Sequence, residues 1–256
     1  VLNFESVQFN GFTEEHVQLI AALAGQAAVA IHNARLTERL QQQNQRQDEL
    51  IKLGKKLTSA IQASEFEILT AIYQSASSLM KTDTMYIALY DEQTQGVRFG
   101  LVYEHGMAVD IANTPKWHPR KVNQGGRTEW IIREKKPILL KTREEFKNWY
   151  SEPRRTKHSG TTIEPSWLGV PMIVGDKAIG VIAVHHDTQE FVYHDADRDF
   201  LLSIANQAAI ALENAHLYQT GEIINHRLNA LIQIAQYITA GINLEESDVL
   251  ELIYHQ

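Results

Sequence analysis

Residues 180–184 read Gly180-Val181-Ile182-Ala183-Val184, a glycine-led run of apolar and β-branched residues. A short acidic segment, Tyr193-His194-Asp195, follows. After it comes Ala205-Asn206-Gln207-Ala208-Ala209-Ile210-Ala211-Leu212-Glu213-Asn214-Ala215, a stretch rich in Ala and Gln. The first piece reads as a strand and the last as a helix opened near Asp195. Upstream, Trp167 to Val174 and Ala178 to Val184 form a strand pair around Gly175-Asp176-Lys177, a strong hairpin signal.

Further outward, Pro137 stops a helix expected over about Thr128 to Lys135 and starts the short strand Ile138-Leu139-Leu140. Residues 141–165 read as a polar connection. A long loop precedes Gly125-Gly126. Before it, Met85 to Tyr90 and Val97 to Tyr103 form a second hairpin, with Val97, Phe99, Leu101 and Tyr103 on one face by the period of two. Ser64 with Glu67 three residues later is a capping box that opens a helix to about Met80. The order helix, two strands, helix, short strand, hairpin, helix predicts an α+β fold with a mainly antiparallel sheet flanked by helices.

The closing helix has a second copy. Gln26-Ala27-Ala28-Val29-Ala30-Ile31-His32-Asn33-Ala34-Arg35-Leu36 matches Gln207 to Leu217 at an offset of 181. The offset persists through Leu50-Ile51, Thr58, Ile61 and Ile72-Tyr73, which match Leu231-Ile232, Thr239, Ile242 and Ile253-Tyr254. One full period is therefore expected, flanked by parts of two others. The expected division is the end of a preceding unit over 1–35, a connector helix over 36–61 and a complete domain over 62–217. A second connector over 218–242 and the start of a following unit over 243–256 complete it. The start at Val1 rather than Met fits a piece of a longer chain.

Both connectors carry a heptad seam, the spacing that keeps one helix stripe against a partner helix. In the first it runs through Leu36, Leu40, Gln43, Gln47, Leu50, Gly54, Leu57 and Ile61. In the second it runs through Leu217, Gly221, Ile224, Leu228, Leu231, Ala235, Ile238 and Ile242. Long coiled-coil-forming connector helices at both ends, and a parallel homodimer, are the expectation. The alternative is a stripe packed only on its own domain.

Composition narrows the function. The 256 residues are 44% hydrophobic and 21% charged, a globular balance with room for a core. A net charge of −7 argues against general nucleic-acid binding. The longest nearly apolar stretch, Leu19 to Ile31, is short for a membrane span, and no targeting leader is visible, so a cytoplasmic protein is expected. The absence of cysteine excludes disulfides, thiolate metal sites and thiol nucleophiles.

The glycine-led strand, acidic segment and Ala/Gln-rich helix resemble the closing pattern of GAF domains. Val1 to Ser6, Phe12 to Glu15 and Gln26 to Leu36 resemble the same pattern in a preceding copy, and Asn229 to Ala235 resembles the opening helix of a following one. The resemblance implies a non-catalytic sensory or regulatory module of a multidomain cytoplasmic signalling protein. Such a module dimerises through connector helices and relays a ligand or partner state to an output domain. A structural spacer without ligand, and a haem, small-anion or cyclic-nucleotide receptor, are the alternatives. Covalent bilins and the family's methionine-sulfoxide reductase chemistry need cysteine and are excluded. Of the family's cyclic-nucleotide pattern, Phe191 and Asp195 remain, while His186-Asp187 and Ala196 replace the other positions. No cofactor is expected; the histidines show no paired metal-ligand motif, and the adjacent His185-His186 point to opposite faces of a strand. His226-Arg227-Leu228-Asn229 resembles a kinase phosphoacceptor box, but its repeat counterpart is Gln45.

From Lys116 to His158 there are 13 Lys or Arg and five Asp or Glu, a net +8 that leaves −15 for the remainder. That segment favours an anionic ligand or simply a solvated basic face. The pocket of this module is expected to draw on Tyr86, Tyr103, His105, Trp117, Arg127, Trp130, Trp167 and His185, with a small molecule of unknown identity as ligand.

Overall fold

The computed structural model describes residues 3–7, 9–59, 63–122, 125–152 and 163–239. The chain divides into two units, residues 1–49 and 50–256. The first holds most of α1 (Glu14–Ser59), an uninterrupted helix that bridges the expected end of one domain and the connector. In this unit Leu36 and Leu40 are exposed. By length and composition, α1 within Glu14–Leu57 is apolar enough to cross a membrane. The apolar stretch Leu19 to Ile31 is short by itself, and the longer window qualifies because it tolerates a charge or two.

The second unit is an α+β domain. α2 (Glu65–Leu79) starts on the expected capping box: Ser64 Oγ accepts from the Glu67 N–H, and Glu67 Oε2 accepts from the Ser64 N–H at 2.8 Å. It leads to the hairpin β1 (Thr84–Asp91) and β2 (Gly96–Glu104), then β3 (Met107–Ala108), a 3-10 turn over Pro115–Trp117 and β4 (Arg120–Lys121). α3 (Arg127–Glu134), β5 (Ile138–Leu140), α4 (Arg143–Ser151), β6 (Ser166–Val174), β7 (Lys177–His186) and α5 (Asp195–Thr239) follow. The seven strands form one antiparallel sheet in the order β3-β2-β1-β7-β6-β5, with β4 also on β2.

Alternation along the strands sends side chains to two cores. Met85, Ile87 and Leu89 of β1, with Leu168, Val170, Met172, Ile182 and Val184, face α2 and α5. Tyr86 and Ala88, with Trp167, Val181 and Ala183, face α3 and α4.

Three expectations need correction. The face assigned to β2 is split: Ile87 pairs Leu101 but Ala88 pairs Phe99, so Gly100 is an extra residue in a β-bulge. Val97 and Phe99 therefore lie on the α3/α4 side, and Leu101 and Tyr103 on the α2/α5 side. Residues 141–165 were expected to be a polar connection, yet they contain α4. Thr142 caps it, its hydroxyl accepting from the Glu145 N–H, and Phe146 and Trp149 are its buried stripe. The first seam also turns inward. Leu53 (2% exposed) and Leu57 (9%) are buried in the domain's own core, and Leu50 packs against it, so Leu50 and Leu57 are not free for a partner helix.

On α5 the outward stripe persists: Leu217, Ile224, Leu228 and Leu231 are each more than half exposed. Ile238 lies in α5, but its side chain is outside the described residues, as are Ile242 and the expected following unit over 243–256.

Candidate functional site

The α3/α4 face of the sheet gathers most of the expected site residues. Register places Tyr86 opposite Ala183 and Trp167 opposite His185, so all four side chains leave the same face. Trp117 is delivered by the 3-10 turn and packs 5.2 Å from Tyr86 and 4.9 Å from Phe99. Arg127 is the first residue of α3, directly after the N-cap Gly126. A Cβ at Gly169 would stand 2.2 Å from the Trp167 ring, so glycine there is what lets the indole lie along β6.

Arg127 is the centre of the arrangement. Its guanidinium lies 4.4 Å over the Trp167 ring, 4.5 Å over Phe146 and 5.8 Å over Tyr150. Arg127 Nη2 is 2.5 Å from Glu164 Oε2, and both side chains are more than nine-tenths buried. Burial opposes the charge of Arg127, but Glu164, Tyr150 and Tyr86 outweigh it and hold the group above its ordinary value. A second inward pair lies nearby: Arg120 Nε donates to Glu129 Oε1 at 2.6 Å, with Glu129 fully buried. Taking such pairs out of water costs roughly what their attraction returns, so they are weak evidence of stabilisation. Removing one partner would cost about 3–5 kcal/mol.

Tyr86 completes the polar floor. Its hydroxyl lies 3.0 Å from Thr128 Oγ1. Burial pushes its pKa up to about 12, only partly offset by Arg127 and by the Thr128 hydrogen bond, so it stays a neutral donor and acceptor.

At the other end of β1 and β7, His185 is buried, with Nδ1 3.0 Å from Asp187 Oδ1. That bond, ahead of the opposing effect of burial, holds Asp187 below the usual carboxylate range. His105 sits in a two-residue turn with Gly106, both at positive φ, between β2 and β3. Its Nε2 is 3.6 Å from Asp187 and its Nδ1 3.7 Å from Asp83. Among the described residues, Asp83, His105 and Asp187 are near enough to share a cation, with ligand atoms within 4.8 Å of one another. The imidazole stands between the two carboxylates, one nitrogen towards each.

Two expected residues stand apart. Tyr103 is on the opposite face because of the Gly100 bulge, stacked on Tyr73 of α2. Trp130 points to the side of α3 that meets Trp149, 6.4 Å away and edge-on. Phe191 is exposed at φ +56°, and Asp195 pairs with Lys141 at 3.1 Å and Arg198 at 2.7 Å; these two kept positions of the cyclic-nucleotide pattern do not converge on Arg127. Much of the basic segment is engaged locally, Lys116 with Glu104 and Lys141 with Asp195, while Arg120 and Arg127 turn inward. Sequence reasoning missed Glu164, Phe146 and Tyr150. The spacing of Thr142 and Glu145, with Phe146, Trp149 and Tyr150 following, was the available signal for the last two.

The family model described as GAF domain matches residues 66–212. The GAF domain of an Acinetobacter phosphoenolpyruvate-protein phosphotransferase superposes with a TM-score of 0.53 at 21% identity, covering 68% of this chain and 96% of that one. Residues 122 to 287 of a methyl-accepting chemotaxis protein give 0.51 at 17% identity, over 65% and 98%. Free methionine-R-sulfoxide reductase from Neisseria meningitidis, solved with its substrate, gives 0.50 at 10% identity, over 68% and 91%. At such identities the likeness is one of fold. No curated protein matches the sequence.

Proposed function

This chain belongs to the GAF domain family, and from that premise we propose that it is a non-catalytic sensory or regulatory module of a cytoplasmic signalling protein. Its α3/α4 face takes a small molecule, and its helices pair with those of a second copy in parallel. The observation that carries this reading is the course of α5. Leu201, Ile204, Ala205, Ala208 and Ala209 of this helix are fully buried under the sheet. Without a break, the same helix then exposes Ile210, Leu217, Ile224 and Leu231, seven residues apart. A change in how the domain seats the first part of α5 is therefore felt along the seam, as a bias between two helix arrangements. The similar chemotaxis and phosphotransferase structures support a place in signalling.

Light scattering at tens of micromolar tests the pairing. Wild type is expected to run as a dimer, and the double variant Ile224→Asp, Leu231→Asp as a monomer with an unchanged domain melting temperature. A monomeric wild type would overturn the pairing.

A further inference from the structure

The acceptor chemistry around Arg127 is incomplete. A guanidinium carries five N–H donors and an indole one, and neither accepts. Among the described residues, Arg127 Nη1 and Trp167 Nε1 are buried without a hydrogen-bond partner. Glu164 Oε2 pairs with Arg127 Nη2 at 2.5 Å and leaves Nη1 unmet. Native interiors leave few such donors unmet, because each unmade bond carries the full desolvation cost. Here the two donors belong to residues of different elements, α3 and β6, that are in direct contact, the guanidinium lying 4.4 Å over the indole ring.

We propose that Arg127 and Trp167 form a receptor for the carboxylate of a small organic acid, and that Glu164 is an internal stand-in that the ligand displaces. The proposal rests on the reading of the α3/α4 face as the ligand side and names what that face takes. Charge balance selects the class. Glu164 neutralises Arg127 one for one, so a monocarboxylate replaces it without leaving net charge in the interior. A phosphate dianion would add a second negative charge near the buried Glu129. Geometry agrees: a planar carboxylate can take the guanidinium fork with one oxygen and the indole N–H with the other. Phe146, Tyr150 and Trp167 surround the guanidinium, so the body of a ligand seated on it borders aromatic rings. Glu164 is free to leave, because it lies in irregular backbone ahead of β6, whose ladder begins at Ser166 paired with His186.

The test uses the whole chain, with benzoate as probe and benzamide and inorganic phosphate as controls. In the wild type, benzoate is expected to move the indole Nε1–H resonance of Trp167, assigned through Trp167→Phe, in 1H–15N spectra. Benzamide and phosphate leave it in place. Glu164→Gln removes the competing charge, so benzoate should bind it at least tenfold more tightly than wild type and restore its lowered melting temperature. Arg127→Met should lose the benzoate effect. Benzoate that leaves the Trp167 resonance unmoved, or that acts equally on Arg127→Met, overturns the proposal, as does an equal response to benzamide. If Glu164→Gln does not fold without ligand, the wild-type resonance decides alone. Failure here leaves the dimeric sensory reading to stand or fall on light scattering, which does not depend on the ligand.

Discussion

Tyr73 of α2 and Tyr103 of β2 stack face to face, with ring centroids 3.6 Å apart and 7° between their planes. The stack clamps a helix to the sheet on the side away from Arg127. Tyr103→Leu should therefore lower stability by about 1 kcal/mol, the worth of an aromatic pair beyond simple burial. Small-molecule binding on the α3/α4 face should be unchanged. Calorimetry of the free and ligand-saturated variant checks both halves, and a specific loss of binding would put Tyr103 back in the pocket.

Gly180 sits where β1 and the Met172 side chain of β6 leave no room for a Cβ on β7. A Cβ there would stand 2.3 Å from the Ala88 carbonyl oxygen and 2.4 Å from Met172 Cε. The methionine end can bend away, but the carbonyl belongs to the β1–β7 ladder. Gly180→Ala should cost about 1–3 kcal/mol, as overpacking does. Gly106→Ala, in open space at positive φ, should show only the smaller backbone strain. Denaturant midpoints for the two variants give the comparison.

Leu57 tests where the first connector ends. As a core residue, Leu57→Ala should destabilise the domain by about 2–5 kcal/mol. Leu40→Ala, on the exposed part of α1, should leave the domain's own melting temperature unchanged. Equal small effects would return Leu57 to the seam.

Acid stability should report on Asp187. The His185 bond holds its carboxyl below the usual range, so the folded state favours the ionised form. Its contribution is complete above the unfolded value, about 4. It disappears as pH falls through the lower, folded value. Asp187→Asn should therefore lower the melting temperature at pH 6, with the gap to wild type closing below about pH 4. A gap that persists undiminished at pH 2.5 would show that the effect is steric.

What the sequence made legible was what local chemistry fixes. Ser64 and Glu67, Pro137, and Gly175-Asp176 each dictate a cap, a stop or a turn within a few residues. The face of β2 was not legible, because one extra residue at Gly100 shifts the alternation without leaving a mark in the pattern. α4 was obscured because Phe146 and Trp149 lie among charged neighbours. Arg127, Tyr86, Trp117 and Trp167 could be named as aromatic and basic residues near one segment. Glu164 could not, since it lies outside any periodic element and gains its meaning only from the guanidinium beside it. The heptads were visible but ambiguous: spacing alone does not distinguish Leu57, turned into its own domain, from Ile224, turned outward.

The burial of Leu53 and Leu57 changes what counts as the building block. The recognisable family segment begins at residue 66, yet the core beneath the sheet is closed by two leucines from the helix before it. A Cβ at Gly54 would lie 3.6 Å from the Gln207 side chain, so the incoming helix contacts the outgoing one at its base. A copy cut at the family boundary would be born with an open apolar floor. The entering helix is therefore part of the domain's interior, and its last turns supply a layer of packing that the family segment by itself lacks.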